Sequence, residues 1–121
     1  MLFERHVPGE NFPYVQSFIY YKGFQPEHHI ERVVPDGSIY LIFELDGFTR
    51  QIFDNDSLQA KAEYTECWLS GAQTEYLSIS AHENSEMFVI QFQPGGASRL
   101  LGTDVSAYTN RVIAAQEIFG D

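Results

Sequence analysis

The sequence predicts a mainly β domain, an antiparallel sandwich or barrel followed by short helices at its C-terminal end. Short apolar runs recur at roughly ten-residue spacing, punctuated by Gly and Pro, the pattern of such folds. The 15% aromatic content is mostly Phe (10) and Tyr (7), which pack well on pleated surfaces. Two dense stretches, Val33–Leu45 and Met87–Leu101, each join a strand-like run to a Pro/Gly corner.

In the first stretch, Pro35-Asp36-Gly37 forms the corner. Proline fixes its own φ, Asp36 can close an Asx-type turn, and Gly37 tolerates positive φ. Ile39–Phe43 is apolar for five residues, too many for a strand with one wet face, so it is expected to be covered on both sides. In the second stretch, the strand Glu86–Gln93 ends at Pro94-Gly95-Gly96.

Taken in order, Met1–Pro13 is expected to be loop or a short edge element, because Pro8-Gly9 and Pro13 interrupt it. Tyr14–Phe24 alternates, with Val15, Ile19 and Tyr21 on one side and Gln16, Phe18, Tyr20 and Lys22 on the other. It reads as one long strand ended by Gly23 and Pro26. Glu27–Val34 is a strand leading into the first corner. Ser38–Leu45 and Phe48–Phe53 are expected to form a hairpin through Asp46-Gly47. Asp54–Glu63 is polar and reads as a mobile loop. Tyr64–Leu69 is one strand, broken by Ser70-Gly71, and Gln73–Ser80 is the next. From Gly95 the period changes: Ala97, Leu100 and Leu101 have helical spacing before Gly102 stops them. Ser106–Tyr108 predicts another helical turn, Asn110–Ala114 an irregular or briefly extended piece, and Gln116–Phe119 the opening of a further helix. There are no internal repeats and no low-complexity segments.

A chain of 121 residues accommodates one domain around one core. Seven Lys and Arg against 17 Asp and Glu give a net charge of −10. The basic residues stand singly, whereas polyanion binding needs clustered cations, so this segment is a poor binder of nucleic acid or acidic membranes by itself. No apolar run approaches the roughly 20 residues that span a bilayer. The N-terminus shows no signal-peptide pattern. The single Cys67 excludes an internal disulfide and fits a reducing, cytoplasmic location.

Several groups are candidates for chemical sites. A cupin-type metal centre wants two His separated by one intervening residue, a Glu further along, and a distant His on a facing strand. Here His28 and His29 are adjacent and cannot both face inward on a regular strand. Glu31 shares a face with His29, and His82 falls in a polar turn. Cys67 beside Trp68 reads as a buried, inert thiol, and neither Ser70 nor Ser78 lies in a nucleophile elbow. Gly95-Gly96 reads as a turn and helix start rather than an anion cradle. No catalytic, metal or cofactor residues are therefore assigned, and an enzyme is not expected. The pocket reading has more support: Tyr20, Tyr40 and Trp68 combine apolar area with a polar tip. Gln91 places an amide inside a dense apolar strand, where it needs a partner or a ligand. With His29 and Glu31, these are the candidate ligand-binding residues.

An ordered series of short matches then resembles the N-terminal, cupin-like sensor domain of AraC/XylS-type transcription regulators. It runs from Pro13-Tyr14-Val15 to Pro26-Glu27-His28 and Glu31-Arg32-Val33-Val34-Pro35-Asp36-Gly37. It continues with Leu41-Ile42-Phe43, Ser70-Gly71, Phe92-Gln93-Pro94-Gly95-Gly96-Ala97 and Leu100-Leu101-Gly102. It closes on Asn110-Arg111-Val112 and Ile118-Phe119-Gly120. The resemblance implies a cupin-like (jelly-roll) antiparallel β-barrel that holds a small-molecule effector and dimerises. It also implies a DNA-binding helix-turn-helix domain, which no residue of this chain supplies, so the chain is expected to be the sensor portion of a longer regulator. A stand-alone metal-dependent cupin enzyme using His29, Glu31 and His82 is the competing expectation.

Overall fold

The computed structural model describes residues 2–24 and 29–119, and every structural statement concerns these residues. It is mainly antiparallel β, in two sheets. The larger is six-stranded and the smaller four-stranded.

The larger sheet is built from β1 (Leu2–His6), β2 (Val15–Phe24), β4 (Tyr40–Glu44), β7 (Cys67–Ser70), β9 (Ser85–Phe92) and β10 (Val112–Ala114), in the order β1-β2-β9-β4-β7-β10. The smaller holds β3 (Ile30–Val33), β5 (Arg50–Phe53), β6 (Ala60–Tyr64) and β8 (Leu77–Ser80), in the order β3-β8-β5-β6. No strand pairing joins one sheet to the other, so the described strands do not close into a hydrogen-bonded barrel.

The two Pro/Gly corners flank neighbouring central strands. Tyr40 of β4 lies opposite Gln91 of β9, and the Phe92 amide donates to the Ile39 carbonyl (3.0 Å). Asp36 closes the expected turn by accepting from the Ser38 amide (2.9 Å), with Gly37 at φ +79°. The β4 run is covered on both faces, as its composition requires. One face of the large sheet carries Ile42, Trp68 and Val89, packed with Ile19, Tyr21 and Tyr40 and met by Tyr64 and Leu77 of the small sheet. The opposite face carries Leu41, Leu69 and Phe92. It is capped by Ala97 and Leu101 of α1 (Gly96–Leu101), by Val105 and Tyr108 of a 3₁₀ turn, and by Ile118 of α2 (Ala115–Phe119). Each fully buried Leu or Phe of these layers contributes about 2 kcal/mol of transfer free energy.

Three expectations are corrected. Asp46-Gly47 does turn the chain, Asp46 Oδ1 accepting from the Phe48 amide (2.8 Å) and Gly47 lying at φ +79°. It does not make a hairpin: β4 pairs with β7 and β9, while β5 pairs with β6 and β8 in the other sheet. Asp46 Oδ2 instead takes the Glu86 amide (2.8 Å), tying the corner to β9. Asp54–Glu63 is not a loop throughout. Asp54 accepts from the Asp56 and Ser57 amides to make a tight turn, and β6 returns along β5 as an edge strand whose polar residues face water. Tyr64–Leu69 is two strands, because the chain changes sheets at Glu66, which adopts φ +62°. The N-terminal segment supplies β1, the outermost strand of the large sheet and the short edge element that its sequence allows. The Pro26-Glu27-His28 match, His28 and Gly120 lie outside the described residues.

Candidate functional site

The space between the sheets holds three features. Near the two corners is a ladder of polar side chains. Ser17 Oγ donates to Gln91 Oε1 (2.7 Å), and Gln91 Nε2 donates to Ser38 Oγ (3.2 Å) and to the Tyr40 hydroxyl oxygen (3.3 Å). The Tyr40 hydroxyl donates to Asp36. The inward amide expected at Gln91, 8% exposed, is thus satisfied within the protein.

The second feature is a buried ion pair. The Arg50 guanidinium bonds both carboxylate oxygens of Glu44 in a fork, with Nη2 2.9 Å from Oε2, and donates to the Ser80 carbonyl. Their side chains are 3% and 0% exposed. His82 Nε2 sits 3.0 Å from Ser80 Oγ and 3.1 Å from the Thr49 carbonyl, with its ring stacked on Phe48. Burial pushes the Glu44 carboxyl above its ordinary pKa by more than the Arg50 charge pulls it down.

The third is a cleft of about 390 Å³ where the sheets part beside β6 and β10. Ile52, Ala62, Tyr64, Leu77 and Val112 give it apolar walls, and Gln73, Thr74 and Asn110 lie among its polar lining. Tyr64, Leu77 and Val112 also pack on the Ile42–Trp68–Val89 core, so the cleft sits directly on that cluster. The Tyr64 hydroxyl donates to the Val112 carbonyl (2.7 Å), bridging the two sheet edges, and its ring stacks on Trp68 at 6.1 Å and 29°. Trp68 is 3% exposed, and its indole Nε1–H is the buried side-chain polar atom without a hydrogen-bond partner among the described residues. A second hollow shares Asn55, Thr74, Glu75 and Tyr76 with this cleft and adds Pro35 and Asp56.

The candidate residues read from the sequence divide accordingly. Tyr40, Gln91 and Trp68 share the inward face of the large sheet. Glu31, half-buried on β3, lies near enough for its charge to raise the Tyr21 pKa across the sheets. Tyr20 is not with them. Alternation along β2 turns it to the opposite face from Tyr21, and its hydroxyl donates to Glu86. His29 is exposed ahead of β3, where its carbonyl accepts from the Ala81 amide. No group of three or more His, Cys, Asp or Glu among the described residues is arranged to hold a metal ion. No helix among them is long and apolar enough to cross a membrane.

The sequence reading missed Tyr64 and the Glu44–Arg50 pair. The pair had a signal: Glu44 keeps phase with Ile42, and Arg50 with Ile52, so both fall on inward positions of their strands. Tyr64 had none, because the chain changes sheets immediately after it.

The comparison with known families takes in almost all of this architecture. The family described as "Domain of unknown function (DUF6597)" matches residues 5–114, from within β1 to the last residue of β10. The chain belongs to the DUF6597 family. No curated protein and no solved structure matches it. Apart from the first three residues of β1, both sheets and the cleft therefore fall inside the DUF6597 span, which stops where α2 begins.

Burial is the leading cause that raises the phenolic pKa of Tyr21, Tyr40 and Tyr64 above the usual 10; Asp36 hydrogen bonding adds to it at Tyr40. The folded state thus keeps protons that the unfolded chain would release. Their contribution to stability is complete below pH 10 and is lost as the pH climbs beyond it. Alkaline titration followed by phenolate absorbance should show these tyrosines ionising late, together with unfolding. Simultaneous titration of all seven tyrosines at the ordinary value, with the fold intact, would refute this.

Proposed function

We propose that this DUF6597 domain is the effector-sensing and dimerisation portion of an AraC-type, DNA-binding transcription regulator. In this reading the two sheets are the walls of a cupin-like, jelly-roll container. A small molecule enters between them, and DNA is contacted only through a separate helix-turn-helix domain. The observation that carries the reading is the cleft between the sheet edges, floored by the aromatic core and lined by apolar and amide side chains. Such a site binds and orients an organic molecule without offering it a reaction. Support also comes from the regulator-like residue series, whose Pro35–Gly37 and Pro94–Gly96 corners flank paired strands. The scattered cations and the net charge of −10 agree with DNA contact being made elsewhere.

Binding that favours one arrangement of the β10–α2 edge shifts the population of that arrangement, and this is how a filled cleft would be read out. Thermal-shift screening against a broad library of neutral and charged metabolites tests the proposal. At least one compound class should raise the melting temperature by several degrees at saturating concentration, as mass action requires. If none does, sensing by this cleft is abandoned.

A further inference from the structure

The cleft has a latch in its wall, Tyr64, and behind that ring, outside the present lining, an unspent hydrogen-bond donor; together they select a class of ligand. Trp68 is buried to 97%, yet its indole N–H has no acceptor. An indole N–H can only donate, and a buried donor left unpaired is destabilising. Tyr64, which lines the cleft, lies stacked over Trp68 and is held by its bond to the Val112 carbonyl. Val112 belongs to the edge strand β10, which pairs with β7 so that Ala114 faces Trp68.

The other polar groups of the cleft are largely occupied in holding its loops. Asn55 donates to the Tyr76 carbonyl and accepts from Ser78. Asn110 Oδ1 accepts from the Thr74 amide and hydroxyl. Gln73 Nε2 donates to the Gly71 and Arg111 carbonyls. The charged lining residues are one Lys61 and one Glu75, which cancel. An anion would meet a single cation on a protein of net charge −10, and a cation would have a single carboxylate to offset its lost hydration.

We propose that the cleft takes an uncharged, flat, mainly apolar molecule bearing one hydrogen-bond acceptor, anchored by the Trp68 indole N–H after Tyr64 swings off the Val112 carbonyl. This rests on the sensor reading of the same cleft and adds the ligand class, the anchor and the latch. Breaking the Tyr64–Val112 bond frees the edge strand whose next residue, Ala115, starts α2, so occupancy of the cleft is felt at that helix.

Trp68 is the chain's single tryptophan, so its Nε1–H gives one indole cross-peak in a ¹H–¹⁵N spectrum. Three probes separate the requirements: coumarin (neutral, with an acceptor), naphthalene (neutral, without one) and 2-naphthoate (charged). Coumarin should move the indole proton downfield in a saturable manner together with the amides of Ala62, Thr74 and Val112. Naphthalene should give no downfield indole shift, and 2-naphthoate should bind at least tenfold more weakly. Tyr64→Phe removes the latch bond and should tighten coumarin about fivefold, the fold-change equivalent to one hydrogen bond of ~1 kcal/mol. If the cleft amides move with coumarin while the indole proton does not, the anchor is wrong and the sensor reading survives. Tighter binding of 2-naphthoate overturns the uncharged class, and an unchanged affinity in Tyr64→Phe overturns the latch. If no probe moves any cleft amide, both this inference and the sensor reading of the cleft fall.

Discussion

Replacing Glu44 by Leu should destabilise the domain by about 3–5 kcal/mol, because it strands the Arg50 guanidinium in a site 3% exposed. A small domain has a total stability of roughly 5–15 kcal/mol, so the loss should appear as a melting temperature lower by ten degrees or more, or as failure to accumulate. The paired substitution Glu44→Leu with Arg50→Met is the informative control. Burial is the largest influence on the Glu44 carboxyl and leaves its pKa raised despite Arg50, the mark of a pair that gives up much hydration to form. Two apolar side chains of similar volume should therefore recover most of the loss, or all of it. Denaturant melts of the two single variants and the double give the coupling directly. If Glu44→Leu alone costs under about 1 kcal/mol, the pair is not a closed, dry contact. What the pair does in the native chain is structural: it pins the β4–β5 corner, where the chain leaves one sheet for the other.

The second large effect is expected at two glycines. A Cβ on Gly71 would lie well inside contact distance of the Tyr108 carbonyl oxygen, and one on Gly96 would meet the Tyr14 carbonyl oxygen in the same way. Both obstacles are backbone, and both carbonyls are in use. Tyr108 accepts from the Arg111 amide (2.9 Å) and Tyr14 from the Gln93 amide (2.9 Å). Neither neighbour can turn aside as a long side chain would. Gly71→Ala and Gly96→Ala should each cost about 2–3 kcal/mol, the range for forced overpacking with a displaced backbone bond. Gly37→Ala makes a useful contrast. Nothing lies within 4 Å of its added methyl, so its penalty should come from the positive φ alone, about 1 kcal/mol. Equal losses at all three positions in thermal melts would mean that close approach is not the reason for glycine at 71 and 96.

These glycines also show what the sequence made legible. Ser70-Gly71 and Pro94-Gly95-Gly96 stand out as breaks in strand patterns, and the doubly covered β4 follows from its unbroken apolar run. The alternation of β2 correctly separates Tyr21 from Tyr20, so the sequence already held the reason that Tyr20 lies away from the cleft. Sheet membership was not legible. Asp46-Gly47 has the residues of a hairpin turn, yet its strands part, because turn chemistry sets the direction of the chain and not the partner of the strand. β6 was hidden because an edge strand with one wet face carries little apolar signal. The cleft was hidden for the same reason: it lies between β6 and β10, the two edges least visible in the pattern.

The strand order sets how quickly the domain can assemble. Among the described strands, only β1–β2 and β5–β6 join sequence neighbours; the other pairings, such as β2 with β9 through Ser17 and Gln91, close long stretches of chain. Loop-closure entropy must be met before such distant contacts offset it. Refolding on the millisecond-to-second scale follows, far slower than a helical bundle of equal length. While β9 is unplaced, the aromatic and apolar strands β2 and β4 on either side of it stay exposed to other copies of the chain, so dilute, rapid-mixing conditions should give the highest yield of native protein.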